Sequence, residues 1–374
     1  MSAKPTIRVL GWPGLKARQN PYNRLLYTAM VDQGAEVDDF TLGRLLLGHF
    51  DVLHLHWPNF RFPHRGASWR EVRRSLYNAA LVMVGLVLSR LRRQRSVWTI
   101  HNLQAHDTRF RGFARIYDRT MVRLIHGHIS LSASAQSEAL TCFPELVDRP
   151  GFVIPHGHYR DSYSAPIPRS EARERLGLPV DSTIFLAFGL IRPYKNLVPL
   201  IEAFRAAELP GAVLLVAGKP VDADISRAVR AAAASATNVK LALRFIPDGE
   251  THLYFSAADV AVNPAANALN SGSALLSLSF GVPLLMVNSG VARDLRLHFG
   301  SEYVHLFDQS ISADALHEVQ RRIQSTNRLD LPLEALDQIS WPAIAQKTLI
   351  AFESLRRPSV KGALVTESQN LLIS

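Results

Sequence analysis

Three side chains able to move a proton lie close together in the first half of the chain. His101 ends the predicted strand Val97–His101, and His106 and Asp107 follow it within six residues. Residues just past the carboxyl end of a parallel strand lie at the edge of the sheet where ligands bind. A carboxylate or imidazole there can take the proton of an attacking hydroxyl group. Asp107 is the first candidate for this base and His106 the second, whereas His101 is expected to orient its neighbours or to pack.

A second group of residues, in the other half of the chain, suits phosphate. Gly189 follows the predicted strand Ile184–Phe188, and Arg192 and Lys195 come three and six residues later. A glycine turn lets the backbone approach phosphate oxygens, an arginine can bind them in a bidentate way, and a lysine acts as a point charge. We therefore expect Gly189, Arg192 and Lys195 to bind a diphosphate.

A polar run after the predicted strand Val260–Asn263 opens an apolar helix that ends near Gly281. Asparagine and serine are preferred at helix N-caps, and the amino end of a helix attracts anions. The run is expected to hold a diphosphate, the alternative being an ordinary capped helix. It consists of Asn270, Ser271, Gly272 and Ser273.

Three further positions are weaker candidates for binding a nucleotide and its phosphates. Gly14 lies in the loop after the first predicted strand and is expected to approach the phosphates. Gly218 follows the strand Val213–Ala217, and Arg244 closes a strand where a base edge can be recognised by the backbone. Each is weak alone, because strand–glycine–helix units occur throughout α/β proteins.

Aromatic and histidine side chains near two predicted strand ends are candidates for sugar contact. His56 and Trp57 follow the second strand, and an aromatic face suits the C–H face of a sugar, although Trp57 can also simply pack. His156, His158 and Tyr159 lie where the two halves meet, and they contact either the sugar or the hinge.

Short β-rich runs alternate with helix-patterned segments along the whole chain, which predicts βαβ units and parallel sheets. The predicted strands are Ile7–Gly11, Val52–His56, Val97–His101, His128–Ser132, Phe152–Pro155, Ile184–Phe188, Val213–Ala217, Val239–Leu243, Val260–Asn263 and Pro283–Val287.

The length of 374 residues predicts two domains. A turn-rich stretch near Tyr159–Gly177 marks the boundary. The prediction is an N-terminal domain over 1–160, a C-terminal domain over 161–357 whose final helix can cross back, and a loose tail over 358–374. The fold class is α/β, with two Rossmann-like doubly wound parallel-sheet domains facing a cleft.

The charge is uneven. The formal net charge is +10, and residues 1–165 hold 22 Lys and Arg against 12 Asp and Glu, whereas the remainder holds 20 of each. The excess predicts an anionic partner for the first half, or else a solvated basic surface. No zinc-finger spacing, RNP-like signature or obvious helix-turn-helix is seen, so nucleic acid is not expected. The single cysteine, Cys142, excludes an internal disulfide and fits a reducing compartment.

One segment, Trp69–Arg95, contains an apolar run, Ala79–Leu88, between arginines. Ten apolar residues are half the number needed to span a bilayer, which is about twenty. The segment is predicted to be the crossover helix between two strands, and contact with an anionic membrane surface is left open as a second role. The arginines are Arg70, Arg73 and Arg74 before the run, and Arg90, Arg92, Arg93 and Arg95 after it.

The turn with Lys195, the Ala-Gly-Lys turn, the Ala258-Asp-Val strand entry and the Gly-Val-Pro after an apolar helix resemble the nucleotide-sugar glycosyltransferases of GT-B fold. The resemblance is strongest across residues 184–287. Retaining members carry two glutamates where this chain has Ala268 and Leu276, and an arginine where it has Leu190. The resemblance without these carboxylates implies an inverting mechanism, with its base in the N-terminal domain.

Within that class, Leu269-Asn-Ser-Gly-Ser, His-Leu-His-Trp-Pro and His-Asn-Leu are similar to xanthan-type exopolysaccharide β-mannosyltransferases. This resemblance implies GDP-mannose as donor, a polyprenyl-diphosphate-linked glycan as acceptor and a peripheral position on the inner face of the cell membrane. No two histidines show the ligand spacing of a metal site on one helix, so no metal is expected, and no cofactor is expected besides the nucleotide-sugar substrate. The alternatives are a UDP-sugar donor, a retaining mechanism, or a silent glycan-binding protein.

Overall fold

The computed structural model describes residues 6–16, 21–58, 68–103, 110–265, 272–325 and 329–356. The strands are β1 Arg8–Trp12, β2 Glu36–Asp39, β3 Val52–His56, β4 Arg95–Ile100, β5 Gly127–Ser130, β6 Gly151–Val153, β7 Thr183–Phe188, β8 Ala212–Ala217, β9 Val239–Ala242, β10 Val260–Asn263, β11 Leu284–Val287 and β12 Val304–Phe307.

The helices are α1 Pro21–Asp32, α2 Leu42–Leu47, α3 Trp69–Leu91, α4 Arg111–Leu124, α5 Ala133–Cys142, α6 Arg169–Arg175, α7 Leu197–Ala206, α8 Ala223–Ala233, α9 Asp248–Ala257, α10 Gly272–Ser279, α11 Gly290–Phe299, α12 Ala313–Ser325, α13 Leu333–Gln338 and α14 Trp341–Arg356. Short 3-10 turns occur at Pro144–Asp148, Arg160–Ser162 and Pro193–Lys195.

Two six-stranded sheets result, and every strand pair in them is parallel. The first has the order β2-β1-β3-β4-β5-β6, and the second β12-β11-β10-β7-β8-β9. In each sheet the chain reverses its direction of growth beside the first strand, which is the doubly wound arrangement. The inner strands β3 and β8 are buried at every residue, so both faces of the sheets are covered.

The chain divides into two compact units, one around each sheet. The first takes in the described residues up to Leu131, the segment Gln136–Pro155 and the chain from Trp341 onward. The second takes in Ser132–Ala135 and His156–Ser340. The predicted boundary at residue 160 thus lies inside the second unit, and the predicted tail 358–374 lies outside the described residues.

Helix α14 packs against α1 in the first unit. The Tyr22 and Trp341 rings meet edge to face with centroids 5.2 Å apart, and the Gln33 amide donates to the Pro342 carbonyl at 2.7 Å. The predicted last helix, about Trp341–Leu355, is confirmed, ending one residue later.

The ten predicted strands all form, with ends shifted by one or two residues in most of them. His101 lies one residue beyond β4 rather than inside it, because the pairing of β4 with β5 ends at Ile100. Two edge strands, β2 and β12, were not predicted. The β2 sequence Glu-Val-Asp-Asp has no apolar run because one side of an edge strand is open to solvent.

The helix predicted between the second and third strands is confirmed as α3, which joins the neighbouring parallel strands β3 and β4. A capping box at Ser68 and Glu71 begins it. Val82 and Leu86 are buried on its inner face, and Gly85 lets the helix approach Leu53 of β3. This helix is also long and apolar enough, by length and composition, to cross a membrane. Its buried face and its place between paired strands assign it to the first unit.

Candidate functional site

The carboxyl ends of β1, β3 and β4 gather the predicted residues of the first unit at one edge of its sheet. These strands are neighbours in the sheet order. The loop with Gly14 follows β1, His56 ends β3 with Trp57 directly after it, and His101 follows β4. Ligands in doubly wound sheets bind at this edge. The sequence prediction therefore brings these four residues to one place within the first unit.

A continuous chain of hydrogen bonds connects Thr99 to His101. The Oγ1 atom of Thr99 lies 2.7 Å from Nε2 of His54, whose Nδ1 lies 3.0 Å from the Tyr27 hydroxyl. The same hydroxyl lies 3.0 Å from Nε2 of His56, and Nδ1 of His56 lies 2.9 Å from Nε2 of His101. Each link has the length of a full hydrogen bond.

Burial keeps the inner histidines of this chain neutral. Burial lowers the pKa of His54 to about 3. The pKa of His56 falls well below its ordinary value, through burial first and then through His54 and His101. Burial raises the pKa of the Tyr27 hydroxyl well above its ordinary value, with smaller contributions from Tyr22 and Asp39. At neutral pH both histidines are therefore uncharged and Tyr27 keeps its proton.

His56 was predicted to contact a sugar, but its side chain has no exposed surface here and bonds Tyr27 and His101 instead. Trp57 is half-buried, and its ring stacks on the His101 imidazole at 4.2 Å with a 21° angle between planes. Its φ of 51° is in the left-handed region, where a bulky residue is uncommon. That turn places the indole ring over His101.

Gly14 approaches another part of the chain closely. A Cβ there would lie 2.3 Å from Oδ1 of Asp39 and 2.9 Å from its Cα, so the position requires glycine on packing grounds. The Lys16 amide also donates to Oδ1 of Asp39 at 3.1 Å. The structure therefore explains Gly14 by the contact of its loop with the end of β2, and its predicted phosphate role stays a prediction.

In the second unit the strands β10, β7, β8 and β9 are neighbours, and their carboxyl ends carry the predicted donor-site residues. Gly189, Lys195 and Ser273 line one small cavity there, together with Asn263. Burial lowers the pKa of Lys195, and the nearby Arg192 lowers it further. A half-buried ammonium beside a second cation favours the binding of an anion.

The loop that carries Lys195 is tightly tied. Asn196 takes a left-handed backbone conformation, with φ of 51°, and its side-chain amide donates to the Pro264 carbonyl at 3.1 Å. This bond joins the loop after β7 to the loop after β10. Arg192 is exposed at the start of the 3-10 turn Pro193–Lys195.

Position 218 requires a glycine because the backbone of another turn lies too close for a side chain. A Cβ there would lie 1.9 Å from the carbonyl oxygen of Gly189, and its φ is +151°. Gly189 has φ of +113° and open space around its missing Cβ. Gly218 therefore lets the turns after β7 and β8 touch, which positions Gly189 at the cavity.

Arg244 lies just after β9 and is exposed. Its guanidinium bonds the Glu250 carboxylate and lies 3.4 Å from the Tyr254 hydroxyl. These contacts hold it against α9, with the exposed ring of Phe245 beside it. Its predicted role toward a base stays a prediction.

The predicted junction residues His156, His158 and Tyr159 belong to the second unit and are buried. The Tyr159 amide donates to Oγ of Ser279 on α10 at 2.9 Å, and its hydroxyl lies 3.3 Å from Nε2 of His156. A Cβ on Gly272 would lie 3.6 Å from that hydroxyl. Tyr159 therefore lies beside the start of α10, the predicted phosphate-binding terminus.

Four predicted site residues lie outside the described residues. They are His106, Asp107, Asn270 and Ser271.

Three residues of the histidine chain were missed by the sequence reasoning: Tyr27, His54 and Thr99. A signal was present, since His54 and His56 are two apart on β3, and Thr99 and His101 are two apart at β4. Residues two apart on a strand share a face.

Two kinds of chemistry are thus placed at sheet edges, one in each unit. The second unit offers cationic side chains, glycine turns and a helix terminus, which suit a diphosphate. The first unit offers an imidazole held by a buried chain and covered by an indole ring, which suits hydrogen bonding to a hydroxyl group. Each of these features follows from the residues that the structure describes.

Comparison with known proteins agrees with this chemistry. Residues 168–330 match the family model described as glycosyl transferases group 1. The chain is 29% identical over 347 residues to a GDP-mannose:glycolipid 4-beta-D-mannosyltransferase of Xanthomonas campestris pv. campestris, covering 92% of this chain and 91% of that protein.

Solved structures resemble the whole fold. Sucrose-phosphate synthase from Thermosynechococcus elongatus aligns with a TM-score of 0.67 at 17% identity, over 94% of this chain and 99% of that one. Anabaena HepE in complex with UDP and glucose aligns with a TM-score of 0.66 at 16% identity, over 93% and 100%. The protein is a glycosyltransferase of the GT-B fold. Residues 168–330 carry its similarity to the glycosyl transferases group 1 family.

Proposed function

We propose that the protein is an inverting mannosyltransferase that moves mannose from GDP-mannose to a lipid-diphosphate-linked oligosaccharide in bacterial exopolysaccharide synthesis. The observation that carries this proposal is the similarity over nine-tenths of the chain to a protein named for GDP-mannose, a glycolipid and a β-mannosyl product. A similarity that spans both units includes the parts that bind donor and acceptor.

The second unit supplies the donor site of this proposal. Lys195 lines a cavity with Gly189 and Ser273, where the diphosphate would meet a half-buried ammonium, backbone amides and the start of α10. Arg192, exposed on the same loop, adds a second positive charge. These cations neutralise the diphosphate in our account, so transfer is expected to persist in a metal chelator.

Inversion of the anomeric centre is inferred from the residues that replace the two glutamates. One of these positions is Leu276, whose apolar side chain is buried in α10, and the other is Ala268. Neither can act as a carboxylate. The attacking hydroxyl then needs a base from the first unit, and Asp107 is proposed for it, with His106 as second candidate.

We place the enzyme on the inner face of the cell membrane as a peripheral protein, because the outer face of α3 is both apolar and basic. Only about a third of the most apolar stretch of this helix is buried. Its exposed apolar side chains follow one another at spacings of three, four, seven and eight residues, which line them along one side of the helix. They include Trp69, Tyr77, Val84, Val87 and Leu91.

The neighbouring helix α4 continues this character. Phe113 and Ile116 are exposed on it, and so are Arg111, Arg115 and Arg119. An apolar strip flanked by exposed arginines binds an anionic membrane in two ways: its apolar surface is buried among the lipids, and the arginines are attracted to the anionic headgroups. Polyprenyl-diphosphate-linked acceptors reside in that membrane surface, and no nucleic acid partner is proposed.

Not every arginine of α3 contributes to that surface. Arg90 donates to the carbonyls of Arg123, Leu124 and Ile125 at the end of α4. Arg92 donates to the carbonyls of Leu45 and Leu46 at the end of α2. Both stabilise helix carboxyl ends. The membrane role therefore falls to arginines at the start of α3 and on α4.

Vesicle flotation tests the membrane proposal. The full chain is expected to float with vesicles containing anionic phosphatidylglycerol and to be released by high salt. The triple variant Arg70→Gln, Arg73→Gln, Arg74→Gln should bind more weakly. Arg227→Gln, at an exposed position in the second unit, is the control. Binding that is indifferent to salt and lipid charge would sink the proposal.

Thermal-shift titration tests the donor. A ligand that binds only the folded state raises stability with its concentration relative to its dissociation constant. GDP and GDP-mannose should raise the melting temperature, and UDP, UDP-glucose and UDP-glucuronate should not. A selective rise with UDP compounds would favour a UDP-sugar transferase, and no shift with any compound would favour a silent glycan-binding protein.

A further inference from the structure

We propose that the second unit has another binding site, for a small phosphate-bearing molecule, in a cavity at the amino edge of its sheet. The cavity has a volume of about 320 Å³, and its walls include His305, Arg169 and Arg322. This volume lies in the range of small-molecule sites, which is about 300–1,000 Å³. Binding there is independent of the transfer reaction proposed above.

The cavity lies at the opposite edge of the sheet from the candidate donor site. Asp259 directly precedes β10 and Pro283 directly precedes β11, and both line the cavity. Asn263 ends β10 and lines the other, smaller cavity together with Lys195. The strands of this sheet are all parallel, so their amino ends share one edge and their carboxyl ends share the other. A ligand at one edge therefore leaves the other edge accessible.

His305 is a buried histidine without a hydrogen bond to any of the described residues. It lies on β12 with 9% of its surface exposed, and neither Nδ1 nor Nε2 has a partner there. By contrast, Nε2 of His298 in the same unit lies 2.8 Å from the Ala335 carbonyl oxygen. Buried polar side chains almost always have a partner, so an unpartnered imidazole in the wall of a cavity points to a ligand.

One group of charged residues beside the cavity has an excess of positive charge. Arg169 contacts Oδ1 of Asp259 at 2.7 Å, and Arg173 contacts Oδ2 of the same carboxylate at 2.6 Å. Two arginines thus share one carboxylate, which leaves one positive charge in excess. Both carboxylate oxygens are engaged by arginine, so Asp259 repels an anion less than a lone carboxylate would.

A second group, at the end of α12, has the same excess. Arg322 donates from Nε to one oxygen of the Glu318 carboxylate at 2.7 Å, and Arg321 donates to the other oxygen at 2.7 Å. Of these three residues, Arg322 lines the cavity. A guanidinium group has five N–H donors in a planar fork, so Arg322 can bind phosphate oxygens with its remaining donors.

The electrostatic surroundings of His305 favour an anion over an uncharged ligand. The pKa of His305 falls to about 4, through burial first and then through Arg322 and Arg296, whereas Glu318 and Glu302 act in the opposite direction with smaller effect. The imidazole is therefore neutral at pH 7 and lies in a positive field. A phosphate group would offset the arginine charges and accept a hydrogen bond from the imidazole.

The rest of the wall is partly apolar. Val282, Pro283 and Ile323 contribute to it. Apolar side chains suit the carbon body of an organic ligand, and the cavity is larger than a phosphate ion alone requires. We therefore expect the ligand to be a phosphate monoester of a small metabolite, of the size of a hexose phosphate.

NMR of the histidine rings tests the site in the full-length protein at pH 7, in a buffer without phosphate. Mannose 6-phosphate and inorganic phosphate should shift the ring signals of His305, and mannose should not. The variant His305→Leu assigns these signals by their loss. Tighter binding of mannose 6-phosphate identifies a monoester as the ligand and equal binding identifies the inorganic ion, and both outcomes support the site. A response to mannose alone, or no response to either phosphate at millimolar concentration, would overturn it.

Calorimetric titration of variants locates the binding. Arg322→Gln should raise the dissociation constant for mannose 6-phosphate roughly tenfold, the loss expected for one charge-assisted hydrogen bond. Arg321→Gln is the matched control, because it removes the same charge beside Glu318 from a residue outside the cavity wall. Lys195→Met should leave this binding unchanged, since Lys195 lies at the other edge of the sheet. Equal dissociation constants in the two arginine variants, or loss of binding in Lys195→Met, would contradict the proposed site.

Discussion

Replacing Lys195 by methionine should weaken ligand binding without lowering the stability of the fold. Methionine keeps an unbranched apolar stem and removes the charge. Burial and Arg192 both lower the pKa of Lys195, so the folded protein disfavours the charged form of this side chain. We therefore expect Lys195→Met to keep or raise the melting temperature.

The sign of the pH dependence follows from the same shift. The unfolded chain holds the lysine proton up to about its ordinary pKa of 10.5, whereas the folded protein releases it at a lower pH. Between these values the unfolded state binds more protons, so the unfolding free energy of the wild type rises with pH. The methionine variant should lose that rise, which stability measurements between pH 8 and 10.5 can detect.

Donor binding should move in the opposite direction. A charge-assisted hydrogen bond contributes about 1.5–3 kcal/mol, and about 1.4 kcal/mol corresponds to a tenfold change in affinity. The partial burial of Lys195 limits solvent screening, so we expect the dissociation constant for GDP to rise roughly 10- to 100-fold.

Isothermal titration calorimetry with GDP measures this affinity, and differential scanning calorimetry measures the stability. Lys240→Met is the control, because Lys240 is exposed on β9 of the same unit. The reasoning is refuted if Lys195→Met binds GDP as tightly as Lys240→Met does. It also fails if the loss of binding is matched by a fall in melting temperature.

Three further predictions concern stability. Asp259→Asn should lower the unfolding free energy by about 3–5 kcal/mol, because it leaves the buried Arg173 without its carboxylate; a loss under about 1 kcal/mol in urea unfolding would contradict this. Gly218→Ala should lower the melting temperature strongly because its Cβ would meet a carbonyl oxygen, whereas Gly249→Ala, with open space around it, should not; equal melting temperatures would argue against the described turn. Acidification from pH 7 to 5 should destabilise the first unit, because the pKa of His54 is about 3 when folded and about 6.5 when unfolded. Its share is about 1.4 kcal/mol per pH unit below 6.5, and a melting temperature that does not change over this range would refute it.

Much of the fold could be predicted because buried parallel strands leave continuous apolar runs in the sequence, such as Ile184–Phe188 and Val213–Ala217. The edge strand β2, Glu-Val-Asp-Asp, lacks such a run and was missed, whereas the edge strands β6 and β9 were predicted.

The grouping of the candidate donor-site residues was predictable for a similar reason. The turns at Gly189 and Lys195 and the start of α10 follow strands directly, and strand order then brings their carboxyl ends to one edge. The histidine chain was not predictable as a whole. It depends on the register that places His56 opposite Thr99, and on Tyr27, which comes from a helix far from both in sequence.

The roles of single glycines also needed the structure. Gly14 and Gly218 are candidate donor-site positions in the sequence, and the structure adds a packing reason for each: a Cβ at Gly14 would meet Asp39 at the end of β2, and a Cβ at Gly218 would meet the carbonyl oxygen of Gly189. In the sequence, a glycine that packs closely against another segment looks the same as a glycine that makes room for phosphate. The packing contact becomes visible only in the distances to the neighbouring segment.

Transfer of labelled sugar tests the central claim most directly. The purified full-length protein would be given GDP-[14C]mannose or UDP-[14C]glucose with a membrane extract containing lipid-diphosphate-linked oligosaccharide, and label would be counted in the organic phase. Our account predicts lipid-extractable label from GDP-mannose, its loss on mild acid hydrolysis of the diphosphate, a β-configured mannose by NMR, and much less transfer by Lys195→Met. Label from UDP-glucose alone, an α-configured product, or no transfer from either donor would contradict it.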